Sequence, residues 1–256
     1  MSVKIDLSGK KALVTGGSRG IGRATAILLA EAGADVVIHY QKQEKAALET
    51  KQIVESKGVQ ALALRAEISS RQEVDHLVNS ALDKWGSMDI LVNNAGIWTY
   101  GEMGNMPEEV WRETMAVNLD GVYLVTNAVV PAMKKQSQGW IVNVASTAAV
   151  RGEALHSHYA ASKGALVSLT KSLAVELAPF NIRVNCVAPG WVETDMCTEV
   201  FSDPVFKEKV RQSIPLKRIP PPEDVAGPIL FLVSDLATHI TGEILNVNGG
   251  AVLCGG

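Results

Sequence analysis

Lys11-Ala12-Leu13-Val14-Thr15-Gly16-Gly17-Ser18-Arg19-Gly20-Ile21-Gly22 runs from a short apolar segment, through a glycine-rich turn, into a helical pattern. The apolar segment reads as a strand. From about Gly20 to Ala32, the residues Ile21, Ala24, Ile27 and Leu28 fall on one helical face, and Gly33 ends the pattern. A second strand, Asp35-Val36-Val37-Ile38, follows at once. Glycines let such a turn fold tightly and bring backbone N–H groups close to a phosphate. The helix start adds a positive dipole end suited to a pyrophosphate. The spacing Gly16, Gly20, Gly22 is GxxxGxG, not GxGxxG. A purely structural turn is the competing reading, and the location at the first strand-to-helix junction favours ligand binding.

The same alternation continues outward. Helical patterns over about Glu44–Ser56, Arg71–Trp85, Pro107–Met115, Leu119–Lys135, His158–Leu177 and Asp224–Leu232 separate further strands. Those strands are Gln60–Leu64, Ile90–Val92, Trp140–Val144, Arg183–Val187 and Ile244–Val247. They are rich in Val, Ile and Leu without clean alternation, as expected of strands buried on both faces. The expectation is an α/β, single-domain Rossmann fold over residues 1–256, a doubly wound parallel sheet of about seven strands with helices on both faces. The Pro- and charge-rich stretch from Trp191 to Pro222 reads as irregular or mobile.

Bulk properties narrow the function. The chain has 256 residues, 47% hydrophobic and 20% charged, with a net charge of −3. That charge supplies no basic field for nucleic acid or an anionic membrane. The three cysteines, Cys186, Cys197 and Cys254, show neither CxxC nor Cys/His ligand spacing. A reducing compartment is expected, with no metal site. No signal-peptide pattern and no bilayer-length apolar run is present, so a soluble, cytoplasmic protein is expected.

In doubly wound sheets, ligands sit beyond the carboxyl ends of the strands. The second strand leads into His39-Tyr40-Gln41-Lys42, with no carboxylate at its end to take ribose hydroxyls. Lys42, together with Arg19 in the glycine turn, would instead suit a 2′-phosphate, favouring NADP over NAD. After the fourth strand, Asn93-Asn94-Ala95-Gly96 offers amides to tie strand ends and small residues that leave room for a ribose. The fifth strand leads to Ala145-Ser146-Thr147, and Tyr159-Ala160-Ala161-Ser162-Lys163 lies in a helical pattern. Positions i and i+4 share a helix face, so Tyr159 and Lys163 can address one site. An ammonium beside a phenol lowers the phenol's pKa and makes it a workable general acid/base. A lone Tyr-x-x-x-Lys is most often a surface pair.

The ordered set formed by the Thr15–Gly22 turn, Asn93-Asn94-Ala95-Gly96, Ser146 and Tyr159-Ala160-Ala161-Ser162-Lys163 resembles the short-chain dehydrogenase/reductase family, over about Leu7 to Gly250. The resemblance implies hydride transfer between a nicotinamide C4 and a carbonyl or secondary alcohol. It implies that Tyr159 exchanges the proton, Lys163 binds the nicotinamide ribose and Ser146 bonds the substrate oxygen. Asn118 matches an asparagine that holds a water in the proton relay. Pro189, Gly190, Val192 and Thr194 match the segment receiving the nicotinamide carboxamide. Gly16, Ser18, Arg19, Gly20, Ile21 and Gly22 would hold the phosphates. Tyr40, Lys42, Glu67 and Ile68 would lie along the adenosine, and Asn94, Ala95 and Gly96 along the ribose. Where the family often has Asp-Val near the adenine, this chain has Glu67-Ile68, and Asn248-Gly249-Gly250 replaces Asp-Gly-Gly.

The substrate is less legible. Members that reduce 3-oxoacyl-acyl carrier protein are similar in pattern, but the position of a carrier-docking arginine is Val175 here, and Lys134-Lys135-Gln136 occupies the region of the other. Trp98, Tyr100, Arg151, Glu153, His156, His158 and Trp191 are candidate pocket residues, suiting a sugar, polyol or other hydroxylated carbonyl. Alternatively Arg151, Glu153 and the histidines form a solvated rim. Met196–Arg211 is expected to form a helical flap by resemblance. A non-catalytic dinucleotide-binding module is the remaining alternative. The resemblance implies a homotetramer built through helices around Val122–Met133 and Ser162–Leu177, with a second contact near the apolar tail Ala251-Val252-Leu253.

Overall fold

The computed structural model describes residues 5–253, so Cys254 lies outside the described residues. Among the described residues, seven strands form one sheet in the order β3-β2-β1-β4-β5-β6-β7. They are β1 (Lys11–Val14), β2 (Asp35–Tyr40), β3 (Ala61–Arg65), β4 (Ile90–Asn93), β5 (Gly139–Val144), β6 (Ile182–Pro189) and β7 (Ile244–Val247). Every pairing is parallel. The chain order reverses between β1 and β4, which places a crevice beyond their carboxyl ends.

Helices α1 (Gly20–Glu31), α2 (Glu44–Glu55) and α3 (Arg71–Trp85) connect the first four strands. After β4 come α4 (Glu108–Met115), a π turn at Ala116–Asp120 and α5 (Gly121–Gln136). Then follow α6 (Ala148–Arg151), α7 (Ser157–Leu177), α8 (Thr198–Phe201), α9 (Pro204–Ser213) and α10 (Glu223–Leu232). The ends of α3 match the sequence reading because local chemistry fixes both. The Ser70 hydroxyl accepts from the Glu73 N–H at 3.4 Å, and Gly86 closes the helix at φ 73°.

Two regions depart from the sequence reading. The stretch from Trp191 to Pro222, read as irregular, contains α8 and α9. Helix α9 starts at Asp203-Pro204: the Asp203 carboxylate caps the Val205 N–H at 2.8 Å, and proline at the first helical position needs no N–H partner. The short α6 was not anticipated. Four residues carry no helical period, and only the Ser146 hydroxyl, accepting from Ala148 N–H at 3.1 Å, marks its start.

The sheet is buried on both faces. One apolar cluster joins Val14, Val36, Ile38, Ile90 and Val142 to α1 and α10 through Leu29, Ile229 and Leu232. The other joins Leu13, Val37, Leu91, Ile141 and Val184 to α3, α5 and α7 through Leu77, Val129 and Leu177. Within this apolar setting runs a polar chain. Asn93 Nδ2 donates to Thr126 Oγ1 at 3.0 Å and to Asn143 Oδ1 at 2.9 Å. Asn143 Nδ2 donates to Thr170 Oγ1 at 2.9 Å, and Thr170 donates to Leu166 O at 2.7 Å. The chain stitches β4 and β5 to α5 and α7, directly below the carboxyl ends of the strands. Asn143→Ala would strand the Asn93 amide and open a small cavity, so urea unfolding should show a loss of about 2–4 kcal/mol.

Candidate active site

The carboxyl ends of β1 and β4 are bound by side chains. The Thr15 hydroxyl accepts from the Asn94 and Ala95 N–H groups at 2.9 and 3.0 Å. Asn94 Nδ2 donates to Thr15 O at 2.9 Å and Gly16 O at 3.2 Å. The amides after β4 therefore hold the glycine turn shut. Gly16 takes φ 64°, a left-handed conformation in which a side chain is strained. At Gly22 the reason for glycine is space. A Cβ there would clash with the Gly16 carbonyl and lie 2.5 Å from Asn94 Nδ2. Helix α1 begins without a side-chain cap, and Arg19 is its extended N-cap residue. Its first N–H groups thus carry the partial positive charge that attracts an anion.

His39 was passed over in the sequence, and the structure makes it central. Its Nδ1 accepts from the Gly16 N–H at 3.1 Å, and its Nε2 is 3.0 Å from Ala66 O. The first bond requires a bare Nδ1, so Nε2 carries the proton and donates to Ala66. One buried imidazole thereby links the ends of β1, β2 and β3. Burial lowers its pKa, with the Ala66 hydrogen bond and the Glu67 charge opposing. A histidine as the penultimate residue of β2 was the available signal, but alternation alone does not reveal which main-chain groups it meets.

A cleft of about 650 Å³ runs from this turn to α7, within the range of about 300–1,000 Å³ common for ligand sites. Gly16, Ser18, Arg19, Gly20 and Ile21 line one end, with Tyr40, Lys42, Glu67 and Ile68 beside them. Asn94, Ala95 and Gly96 line the middle, and Ser146, Tyr159, Lys163, Pro189, Gly190, Val192 and Thr194 the other end. Gly22 and Asn118 stand behind this wall.

The geometry refines several positions. Arg19 is 3.8 Å from Asp195, both of them exposed. The Glu67 carboxylate is engaged by Gln41 and by Ser69, whose hydroxyl donates at 2.9 Å. Tyr40 donates to Glu44 at 3.3 Å. Thr194 packs on the glycine turn, for a Cβ at Gly20 would lie 3.3 Å from its methyl. The Asn118 side chain sits in the π turn and is fully committed. Its Oδ1 accepts from Ile97 N–H at 2.8 Å, and its Nδ2 donates to Ile97 O at 2.9 Å and Ser162 Oγ at 3.2 Å. Its side chain is a clamp between the segment after β4 and α7.

Tyr159 and Lys163 project from one face of α7, both buried. Lys163 Nζ donates to Val144 O at 2.9 Å and lies 5.9 Å from the centroid of the Tyr159 ring. Ser146 is within hydrogen-bonding reach of the Tyr159 phenol. Burial dominates both ionisable groups. It pushes the Tyr159 phenol up to about 12 against the Ser146 hydrogen bond, and Lys163 down to about 8. The sequence reading weighed only the ammonium, which would lower the phenol; desolvation outweighs it here.

Of the candidate pocket residues, Trp98, Arg151, Glu153 and Trp191 line the cleft. His156 stacks on Trp98 with centroids 4.4 Å apart and planes 5° from parallel, and Tyr100 meets His156 edge-on at 6.2 Å. His158 is fully buried with Nε2 3.0 Å from Thr99 Oγ1, so it is neither pocket nor solvated rim. Among the described residues, no group of three or more His, Cys, Asp or Glu could hold a metal ion, and no helix is long and apolar enough to cross a membrane.

A fold of this topology with Ser146, Tyr159 and Lys163 beside a glycine-turn cleft defines a class, and comparison with known proteins identifies it. The family model described as enoyl-(acyl carrier protein) reductase matches residues 16–252. The chain belongs to the short-chain dehydrogenase/reductase family of oxidoreductases. It is 42% identical to the 3-oxoacyl-[acyl-carrier-protein] reductase of Synechocystis, over 96% of this chain and 98% of the relative. It is 40% identical to an L-rhamnose 1-dehydrogenase (NAD(P)(+)) of Azotobacter vinelandii, over 94% and 96%. The crystal structure of an NAD+-bound xylitol dehydrogenase superposes with a TM-score of 0.90 at 32% identity, covering 95% of this chain and 99% of that one.

The His39 bridge has a pH signature. With its folded pKa lowered from 6.5, neutral His39 contributes stability that is full above 6.5 and is lost as the pH falls through its folded value. The urea midpoint should decline as the pH falls below 6.5. His39→Gln should have a lower midpoint at neutral pH and a shallower decline.

Proposed function

We propose that this protein transfers hydride between a nicotinamide dinucleotide, NADP in preference to NAD, and a carbonyl or secondary-alcohol carbon, with Tyr159 moving the proton. The observation carrying this reading is the buried Tyr159–Lys163 face of α7, set beside Ser146 in a cleft that continues to the glycine turn. The residues present suit the dinucleotide: an uncapped helix start, a turn with glycine at positions 16, 20 and 22, and a continuous groove. Bound, it would supply or accept the hydride at nicotinamide C4.

Gly16, Ser18, Gly20, Ile21 and the close-packed Gly22 turn hold the phosphates on the N-terminus of α1. Arg19 and Lys42 take the 2′-phosphate, with no carboxylate at the end of β2 to favour a free ribose hydroxyl. Tyr40, Glu67 and Ile68 flank the adenosine, while Asn94, Ala95 and Gly96 leave room for a ribose. Pro189, Gly190, Val192 and Thr194 receive the carboxamide. Lys163, steered by Val144 O, bonds the nicotinamide ribose. Ser146 donates to the substrate oxygen and Tyr159 exchanges its proton there. Asn118 serves by clamping Ile97 to α7 and keeping Tyr159 in register. Residues 1–256 act as one domain whose stretch 191–222, with α8 and α9, covers the substrate end. A cytoplasmic homotetramer is the expected working form.

A phenol pushed up to about 12 is an intact acid at neutral pH. Reduction can draw on it directly, whereas oxidation needs the phenolate. A second reading, reduction of a 3-oxoacyl group on acyl carrier protein, is favoured by the 42% identity to a reductase of that name. The exposed Val175 on α7, at the position of a docking cation, weighs against it.

Tyr159→Phe should reduce kcat by about 10²–10⁴-fold while NADPH still binds, read by fluorescence titration; undiminished turnover would refute the mechanism. Alcohol oxidation should rise with pH through neutrality and level off above about 8, where Lys163 loses its proton. Ketone reduction should hold through neutrality and decline above about 8, where Lys163 loses its proton. Arg19→Ala or Lys42→Ala should lower the NADPH-to-NADH ratio of kcat/KM by about tenfold, and an unchanged ratio would remove the 2′-phosphate assignment.

A further inference from the structure

The substrate end of the cleft combines an aromatic wall with two charged side chains of opposite sign, a half-buried Glu153 and an exposed Arg151. Trp98, held flat by His156, meets Trp191 edge-on at 5.9 Å. Trp191 is braced in turn by Phe201 of α8 at 5.5 Å and Phe206 of α9 at 5.8 Å. These rings offer apolar area that requires no rearrangement. Glu153 lines the same cleft with its side chain only 18% exposed. Among the described residues its carboxylate accepts no hydrogen bond. Its nearest basic partner, His156 Nδ1, is 3.9 Å away, and that nitrogen lies 3.0 Å from Ala154 O. Arg151 lines the cleft without an ion pair or a side-chain hydrogen bond among the described residues. A mostly buried carboxylate without donors is costly, and a ligand that supplies them recovers the cost.

We propose that this end of the cleft binds an uncharged, polyhydroxylated carbonyl compound or its alcohol, of the sugar and polyol class, with Glu153 accepting from ligand hydroxyls and Trp98 and Trp191 packing on its C–H face. This rests on the hydride-transfer reading and names its substrate. The charges select against the alternatives. A cationic ligand would suit Glu153 but meet Arg151, and an anionic ligand the reverse. A long acyl thioester offers no hydroxyls to satisfy either. A neutral ligand dense in hydroxyls satisfies both, because each hydroxyl both donates and accepts.

Binding and turnover separate the two readings. Trp98 and Trp191 line the cleft, so intrinsic fluorescence of the Tyr159→Phe variant, saturated with cofactor, reports ligand binding without catalysis. The probes are aldopentoses, aldohexoses and their polyols, against 2,3-butanedione, aminoacetone and acetoacetyl-coenzyme A. A member of the hydroxylated set should bind more tightly than the other three. Glu153→Gln should weaken its binding about tenfold or more, with a smaller effect on butanedione. In the wild-type chain the same ligand should be turned over with NADP(H), and Glu153→Gln should act mainly on KM. Tighter binding of aminoacetone, butanedione or the thioester overturns the proposal, as does an equal effect of Glu153→Gln on every probe. Selective polyol binding with no wild-type turnover would support the ligand class and defeat the hydride-transfer reading instead.

Discussion

Four hydrogen bonds between the end of β1 and the chain after β4 hold the site open. Thr15 accepts two main-chain N–H groups, and Asn94 donates to two main-chain oxygens. They close the switch point of the sheet from below and leave the turn's upper surface to backbone and glycine hydrogens. Gly22 can only be glycine because Asn94 and the Gly16 carbonyl already occupy the space. His39 extends the arrangement to β2 and β3. Four strand ends are thus fixed by side chains in addition to the last main-chain bonds between them, such as Gly17 N–H to His39 O at 2.9 Å and Ala66 N–H to Tyr40 O at 3.0 Å.

The Tyr159 end of the cleft is likewise held by side-chain hydrogen bonds. The Asn93–Asn143–Thr170 chain locks β4 and β5 to α7, and Asn118 reaches Ser162, whose hydroxyl donates to Tyr159 O at 2.7 Å. Tyr159 and Lys163 can be buried and polar together because α7 cannot rotate to expose them. Burial then sets their acidity, pushing the phenol up to about 12 and the Lys163 ammonium down to about 8.

Much of this was legible because local chemistry and global pattern agree. The β1–turn–α1 unit announces itself through glycine, and α3 through Ser70 and Gly86. The i, i+4 pairing of Tyr159 with Lys163 is a property of any helix. What escaped depends on distant partners. His39 looks like one more half-polar strand residue until Ala66 and Gly16 are placed around it. The partners of the Asn118 side chain, both main-chain groups of Ile97, lie 21 residues away and carry no sequence signal. His158 reads as a rim residue until Thr99 covers it. Helices α8 and α9 fall largely within the helical flap that the resemblance implied over Met196–Arg211, although the residues alone read as irregular and Asp203-Pro204 is itself a helix start.

The methyl of Thr194 resting against Gly20 gives the two halves of the cleft a common wall. Thr194 opens the segment that leads through Asp195 into α8 and α9, whose Phe201 and Phe206 hold Trp191 upright. On the proposed reading, a dinucleotide on the glycine turn and a ligand at the aromatic end would meet this one segment from its two sides. Any coupling that Thr194 carries between them must then be equal in both directions.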